Sequence, residues 1–86
     1  MKTEVLIIGL GLIGGSLAKA LQRNEDVHVS GYDADALTAR KAFKMGIIQS
    51  SPPALEQAAA AADVIVFATP VGATIKLMEQ SKYWYL

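Results

Sequence analysis

The sequence predicts an α/β fold, in which helices flank a parallel sheet. Two continuous aliphatic runs, at 5–8 and 64–67, are typical of strands that are covered on both faces. Segments with apolar residues at every third or fourth position lie between these runs and are typical of amphipathic helices. Because strands and helices alternate, right-handed crossovers would make the sheet parallel. The 86 residues suit one small domain.

The first strand is predicted at 5–8, and a helix follows a glycine-rich stretch. Ile13, Leu17 and Leu21 recur every four residues, which places one apolar stripe on a helix that extends to about Arg23. The polar residues that come next are suited to a turn.

A second strand and a second helix are predicted after that turn. Residues 27–32 begin with alternating apolar and polar side chains, which favours a strand. Asp35 can cap a helix over 36–45, and Gly46 lies where a left-handed residue commonly ends a helix. The pair 47–48 is interpreted as either a very short strand or a buried loop.

The last predicted elements are a short helix, a strand and a final helix. Pro53 can open a helix through 54–61, because proline is tolerated at the start of a helix. The run 64–67 is the next strand, and a helix is expected from about 72 to 80.

The stretch GLGLIGGS joins the first strand to the first helix and contains the pattern Gly9-x-Gly11-x-x-Gly14. In this pattern the first glycine allows a tight turn, the second lets the backbone approach a pyrophosphate, and the third lets the helix pack on the sheet. The positive end of the helix then faces the phosphates. The motif makes the predicted fold Rossmann-like, the first βαβαβ half of a dinucleotide-binding domain.

Asp33 is predicted to hold the adenosine ribose of that nucleotide. It ends the second strand 19 residues after Gly14, close to the spacing of about 20 residues for a ribose-binding carboxylate. A carboxylate there binds the ribose hydroxyls of NAD and repels the 2′-phosphate of NADP, and the next base is Arg40, so NAD is favoured. The alternative is a purely structural turn, with Asp33 as a helix cap.

The segment Thr69-Pro70-Val71 follows the last strand, at the sheet edge where such folds bind ligands. Thr69 can offer its hydroxyl and its backbone to the nicotinamide half of the cofactor. Pro70 can equally serve only to begin the next helix, and the two interpretations are compatible.

Composition argues against several other functions. Eight basic residues balance eight acidic ones, which provides no field for nucleic acid or an anionic membrane. The absence of cysteine excludes disulfides and thiolate metal sites, and no histidine–carboxylate cluster predicts another metal site. His28, the one histidine, starts the second strand away from the glycines, so a surface position is favoured over catalysis.

The uncharged run 5–18 follows Lys2 and superficially resembles a targeting segment. At 14 residues it is shorter than the roughly 20 that span a bilayer. Glu4 interrupts the basic start, and no clear small-residue cleavage site follows. The expected location is therefore cytoplasmic.

With these residues identified, the sequence resembles the amino-terminal part of prephenate dehydrogenase. The stretch VLIIGLGLIGGSLAKAL is similar to that family's opening, including the second glycine of GGS. GYDAD, KMGII and ADVIVFATPV follow in the family's order and spacing, so the resemblance covers about residues 4–80. Related β-hydroxyacid dehydrogenases share the first motif more loosely.

The resemblance implies NAD-dependent oxidative decarboxylation of prephenate to 4-hydroxyphenylpyruvate in tyrosine biosynthesis, or action on arogenate instead. In that family, hydride passes from the ring carbon that bears the hydroxyl to the nicotinamide, and a histidine assists removal of the hydroxyl proton. Carried over by position, three groups of residues would contact NAD. They are Gly9, Gly11, Leu12, Ile13 and Gly14 at the pyrophosphate, Asp33 at the ribose, and Thr69, Pro70 and Val71 at the nicotinamide side.

The resemblance also sets the expected domain bounds. Residues 1–80 would form a partial NAD-binding domain, and 81–86 an atypical aromatic tail that does not match the family's continuation. The family's catalytic histidine and helical dimerisation domain come later, and His28 does not match that histidine. We therefore expect a chain truncated before the catalytic part, inactive alone, with prephenate or arogenate bound only in a complete enzyme.

Other functions stay open on the sequence alone. A nucleotide-sensing regulatory module of ion-transport proteins also uses a glycine turn and a strand-end acid, although ATPV and GGS favour the dehydrogenase. A fragment of another β-hydroxyacid-type dehydrogenase, or a fragment with no activity, is a further alternative. An open sheet edge or the tail at 81–86 would allow self-association.

Overall fold

The structure, a computed structural model, describes residues 2–68 and confirms the predicted α/β fold. The predicted helix at 72–80 and the tail at 81–86 lie outside the described residues. Within the described range, no helix has the length and apolar character needed to cross a bilayer. The elements are β1 Thr3–Ile8, α1 Leu12–Leu21, β2 Val27–Tyr32, α2 Ala36–Lys44, α3 Leu55–Ala61 and β3 Val64–Phe67.

β1 is the central strand of a three-stranded parallel sheet with the order β2-β1-β3. Its last residue, Ile8, lies opposite Tyr32 of β2 and Phe67 of β3. Leu6, Ile7 and Ile8 are at most 1% exposed. Since neighbouring residues of a strand face opposite sides of the sheet, this burial explains why the apolar run is continuous rather than alternating.

Helices cover the two faces of the sheet unequally. Ala18 of α1 and Ala39 of α2 belong to the core on the face of Ile7. On the other face, Ala59 of α3 packs with Leu6. The alanines that raise the apolar content of the sequence are thus the small residues that let the helices lie close to the sheet.

The ends of α2 agree with the prediction, whereas the start of α3 differs slightly. Oδ1 of Asp35 accepts a backbone N–H from the first turn of α2 at 3.0 Å, and Gly46 after the helix has φ +74°. Pro53 does not open α3 directly. Ala54 is extended, with φ −117° and ψ 115°, so the helix begins at Leu55.

The segment after α2 is a loop whose residue Ile48 is buried against Gly31 of β2. Ile48 in this loop is 1% exposed, and an isolated bridge between Ser30 and Ser50 joins the loop to the strand. The buried-loop interpretation of 47–48 is therefore correct. A Cβ at Gly31 would lie 2.6 Å from Cγ2 of Ile48 and 2.9 Å from Cδ2 of Leu10.

The variant Gly31→Ala is expected to lose about 1–3 kcal/mol of unfolding free energy, because the added methyl overpacks the core between two buried side chains. Urea denaturation followed by circular dichroism measures this loss. Gly15→Ala is the matched control, since the nearest atom to a Cβ there is 3.8 Å away and alanine favours a helix interior. A Gly31→Ala chain as stable as the unsubstituted one would contradict this account of the loop.

Candidate nucleotide-binding site

The carboxyl ends of all three strands meet at one edge of the sheet. The N–H of Gly9 donates to the carbonyl of Tyr32, and the N–H of Ala68 donates to the carbonyl of Ile8, both at 2.8 Å. α1 leaves β1 on one face, while α3 leads into β3 on the other. The strand order therefore reverses at β1, and open α/β sheets bind ligands outside the carboxyl ends at such a point.

The three glycines of the motif have the geometry that their predicted roles require. Gly9 has φ +99°, a conformation that side chains disfavour, and it turns the chain off β1. A Cβ at Gly14 would lie 1.8 Å from the carbonyl oxygen of Gly9 and 3.2 Å from Cβ of Ala68, so α1 packs too closely for any side chain there. A Cβ at Gly11 would meet no atom within 4 Å, so the space above it is open.

The first turn of α1 leaves its backbone N–H groups without a side-chain cap. Its N-cap residue is Gly11, no side chain caps it, and no acidic residue lies in its first turn. Leu12 and Ile13 in this turn are 88% and 77% exposed. α2 differs, because Asp35 already occupies its N-terminus with a carboxylate. The beginning of α1 is therefore open to an anion.

The carboxylate of Asp33 lies directly beside the glycine turn. Its Oδ2 accepts the backbone N–H of Leu10 at 2.9 Å, and its Oδ1 accepts the backbone N–H of Asp35 at 2.9 Å. Asp35, not Asp33, caps α2, so the helix-cap alternative for Asp33 is wrong. Sequence spacing alone does not reveal the bond to Leu10, which links the end of β2 to the turn after β1.

A cavity of about 480 Å³ opens beside Asp33, between α2 and the loop at 51–53. Ala36, Ala39, Arg40 and Phe43 form its α2 wall. These four positions are spaced as i, i+3, i+4 and i+7, so they lie on one face of the helix. The sequence patterns did not predict this cavity, although the spacing of its α2 residues was the available signal.

The structure does not describe the predicted residues at the nicotinamide side. Thr69, Pro70 and Val71 are outside the described residues, which end at the carboxyl edge with Ala68.

His28 lies toward the other end of the sheet, as its position in β2 predicts. Its Nδ1 is 2.6 Å from Oε2 of Glu4, and its Nε2 is 3.1 Å from Oγ of Ser50. Its side chain is 29% exposed. These contacts tie β1, β2 and the loop after α2 together and place the histidine away from the glycine turn.

Comparisons with known proteins agree with this geometry. Residues 17–84 match the family model described as the nucleotide-binding domain of prephenate dehydrogenase. That match covers more than half of the chain. The chain belongs to the prephenate dehydrogenase family.

Relatives and solved structures of the prephenate dehydrogenase family cover nearly all of the chain. It is 35% identical over 81 residues to prephenate dehydrogenase of Bacillus subtilis (strain 168), a match with 93% of this chain and 22% of the relative. The enzyme of Lactococcus lactis subsp. cremoris (strain MG1363) is 37% identical over 78 residues, with 90% of this chain and 22% of the relative covered.

The solved structures give the same result for the fold. Prephenate dehydrogenase from A. aeolicus, in complex with hydroxyphenyl propionate and NAD+, superposes with a TM-score of 0.85 at 28% identity, over 96% of this chain and 30% of that one. Synechocystis arogenate dehydrogenase gives a TM-score of 0.82 at 27% identity, over 91% of this chain and 27% of that one. The chain thus corresponds to the nucleotide-binding part of the family and spans about 22% of its curated relatives' length.

Proposed function

We propose that this chain binds NAD at the carboxyl edge of its sheet, between the glycine turn and Asp33. The observation that carries the proposal is the 2.9 Å hydrogen bond from the N–H of Leu10 to Oδ2 of Asp33. This bond holds the carboxylate of Asp33, which can bind a ribose, beside the glycine turn, which can bind a pyrophosphate. One dinucleotide can therefore reach both.

The pyrophosphate lies over Gly11 in this proposal, where a side chain would otherwise occupy the open space. The backbone N–H groups of Leu12, Ile13 and Gly14 donate to the phosphate oxygens, and the positive end of α1 stabilises their charge. Gly9 contributes the turn that directs these groups toward the ligand.

Asp33 retains the capacity to bind both hydroxyls of the adenosine ribose. A carboxylate offers about four lone-pair positions, and the two N–H groups that it accepts occupy two of them. Its negative charge disfavours a 2′-phosphate, which supports NAD over NADP. The A. aeolicus relative is described in complex with NAD+, in agreement with this choice.

The nicotinamide half extends along the edge toward β3. Ala68 ends the described part of this edge, and Thr69, Pro70 and Val71 follow it in the sequence. The proposal that these three residues border the nicotinamide rests on the family resemblance and on the position of Ala68.

In a complete enzyme, the activity that this module serves is oxidative decarboxylation of prephenate to 4-hydroxyphenylpyruvate. When bound, NAD supplies the hydride acceptor. The residues of this chain bind and orient the nucleotide through the glycine turn and Asp33. Arogenate is the alternative substrate, because one structural relative is an arogenate dehydrogenase.

Isothermal titration of the 86-residue chain with NAD tests the proposal, and Gly11→Val is the decisive variant. Saturable binding is expected for the unsubstituted chain, and its Kd should rise by more than about tenfold in the variant. Gly11 has φ −70° and ψ −160°, and a Cβ there meets no protein atom within 4 Å, so valine fits the fold while filling the ligand's space.

Ala20→Val is the matched control, because it places a valine side chain on α1 at an exposed position beyond the first turn. Its NAD affinity should equal that of the unsubstituted chain. Equal NAD affinity in Gly11→Val and Ala20→Val would show that the pyrophosphate does not bind at this turn.

A further inference from the structure

We propose that Arg40 is a specificity-determining residue, which faces the 2′ position of the bound adenosine ribose and opposes Asp33 in the choice between NAD and NADP. This inference rests on the proposed nucleotide site. It assigns a role to a residue that lies seven positions beyond Asp33 and that no comparison singles out.

The two charged residues, Asp33 and Arg40, line the same cavity. Asp33 lies at the end of β2, and Arg40 lies on the wall that α2 presents to the same cavity of about 480 Å³. Ala36 and Ala39 form the rest of that wall near the start of the helix. Their short side chains leave the space that an adenosine ribose and its 2′ substituent need.

The charges of this cavity are balanced rather than purely negative. Asp33 and Arg40 are the charged residues of its described lining, whereas Lys41 and Lys44, which also lie on α2, do not line it. No ion pair joins Arg40 to Asp33 in the described part of the chain. The planar guanidinium of arginine matches the oxygens of a phosphate in pairs, which makes it suited to a 2′-phosphate.

The preference for NAD therefore depends on one negative charge. With Asp33 present, a 2′-phosphate meets repulsion from the carboxylate beside the attraction of Arg40, while the 2′-hydroxyl of NAD is a good donor to the carboxylate. With a neutral residue at position 33, the repulsion is gone and the attraction of Arg40 remains. No new basic residue is needed to admit NADP.

Titrations with NAD and with NADP test this inference on the unsubstituted chain, Asp33→Ser, Arg40→Gln and the double variant. The NADP affinity of Asp33→Ser should be at least about tenfold higher than that of the unsubstituted chain, in line with the strength of charge-assisted hydrogen bonds. The double variant should lose that gain. Lys41→Gln combined with Asp33→Ser is the matched control, because it removes a charge from α2 outside the cavity, and it should keep the gain.

Asp33→Asn is measured in parallel, since its amide oxygen can still accept a backbone N–H from the glycine turn and so protects the turn's shape. It should gain NADP affinity in the same direction as Asp33→Ser.

Three outcomes would overturn the role of Arg40, and the first two leave the proposed NAD site intact. NAD could bind the unsubstituted chain while neither position-33 variant gains NADP affinity, or the gain could persist in the double variant that lacks Arg40. In either case the proposed NAD site remains supported, and Arg40 has no part in specificity. If the unsubstituted chain binds neither nucleotide, the NAD site and the role of Arg40 fail together.

Discussion

Gly14→Ala is expected to destabilise the chain more than alanine at Gly11, Gly15, Gly31 or Gly46. The new Cβ would lie 1.8 Å from the carbonyl oxygen of Gly9. That atom belongs to the backbone and cannot rotate away, so α1 must move off the sheet. Overpacking of this kind costs about 3 kcal/mol or more, a large share of the roughly 5–15 kcal/mol that stabilises a native domain.

The unfolding midpoint in urea measures the effect of Gly14→Ala, and Gly15→Ala is the control one residue away. A Cβ at Gly15 has the carbonyl oxygen of Leu10 as its nearest neighbour at 3.8 Å, an ordinary contact. Gly14→Ala should be largely unfolded without urea or should unfold at a much lower urea concentration. Gly15→Ala should be at least as stable as the unsubstituted chain. Equal midpoints for the two variants would contradict the close approach of α1 to the turn.

Asp33→Ala is expected to weaken NAD binding by about 10- to 100-fold, because hydrogen bonds from ribose hydroxyls to a charged acceptor are lost. The substitution also frees the N–H of Leu10, which loosens the turn that holds the pyrophosphate. Isothermal titration measures the affinity, and urea denaturation measures the accompanying change in stability.

Asp35→Ala separates ligand binding from helix capping. Asp35 caps α2 through its own carboxylate, so its loss should cost about 0.5–2 kcal/mol of unfolding free energy and leave NAD affinity nearly unchanged. If Asp33→Ala kept the NAD affinity of the unsubstituted chain and Asp35→Ala lost it, the two aspartates would have the reverse of the roles proposed here.

The sequence predicts those features of the fold that leave a pattern in neighbouring residues. The uninterrupted apolar run of β1 follows from burial on both faces, and the cap at Asp35 follows from the chemistry of a short acidic side chain before a helix. The glycine turn is also a local feature, because Gly9 and Gly14 meet across a few residues. Patterns of this kind are read directly from neighbouring positions.

Features that depend on distant residues were not predictable in the same way. The need for glycine at position 31 arises because Ile48 and Leu10 close over it from two separate loops. The cavity that joins Asp33 to Arg40 depends equally on how α2 sits against the end of β2. Spacing predicted the ribose-binding role of Asp33, but its bond to Leu10 required the packed sheet.

Titration of the isotopically labelled 86-residue chain with NAD, followed by amide chemical shifts, tests directly whether the nucleotide binds between the glycine turn and Asp33. Saturable shifts are expected to concentrate at residues 9–14 and at Asp33, with little change at the smaller cavity of about 240 Å³ between α3 and β1. The absence of saturable shifts, or shifts confined to that smaller cavity, would contradict binding at that place.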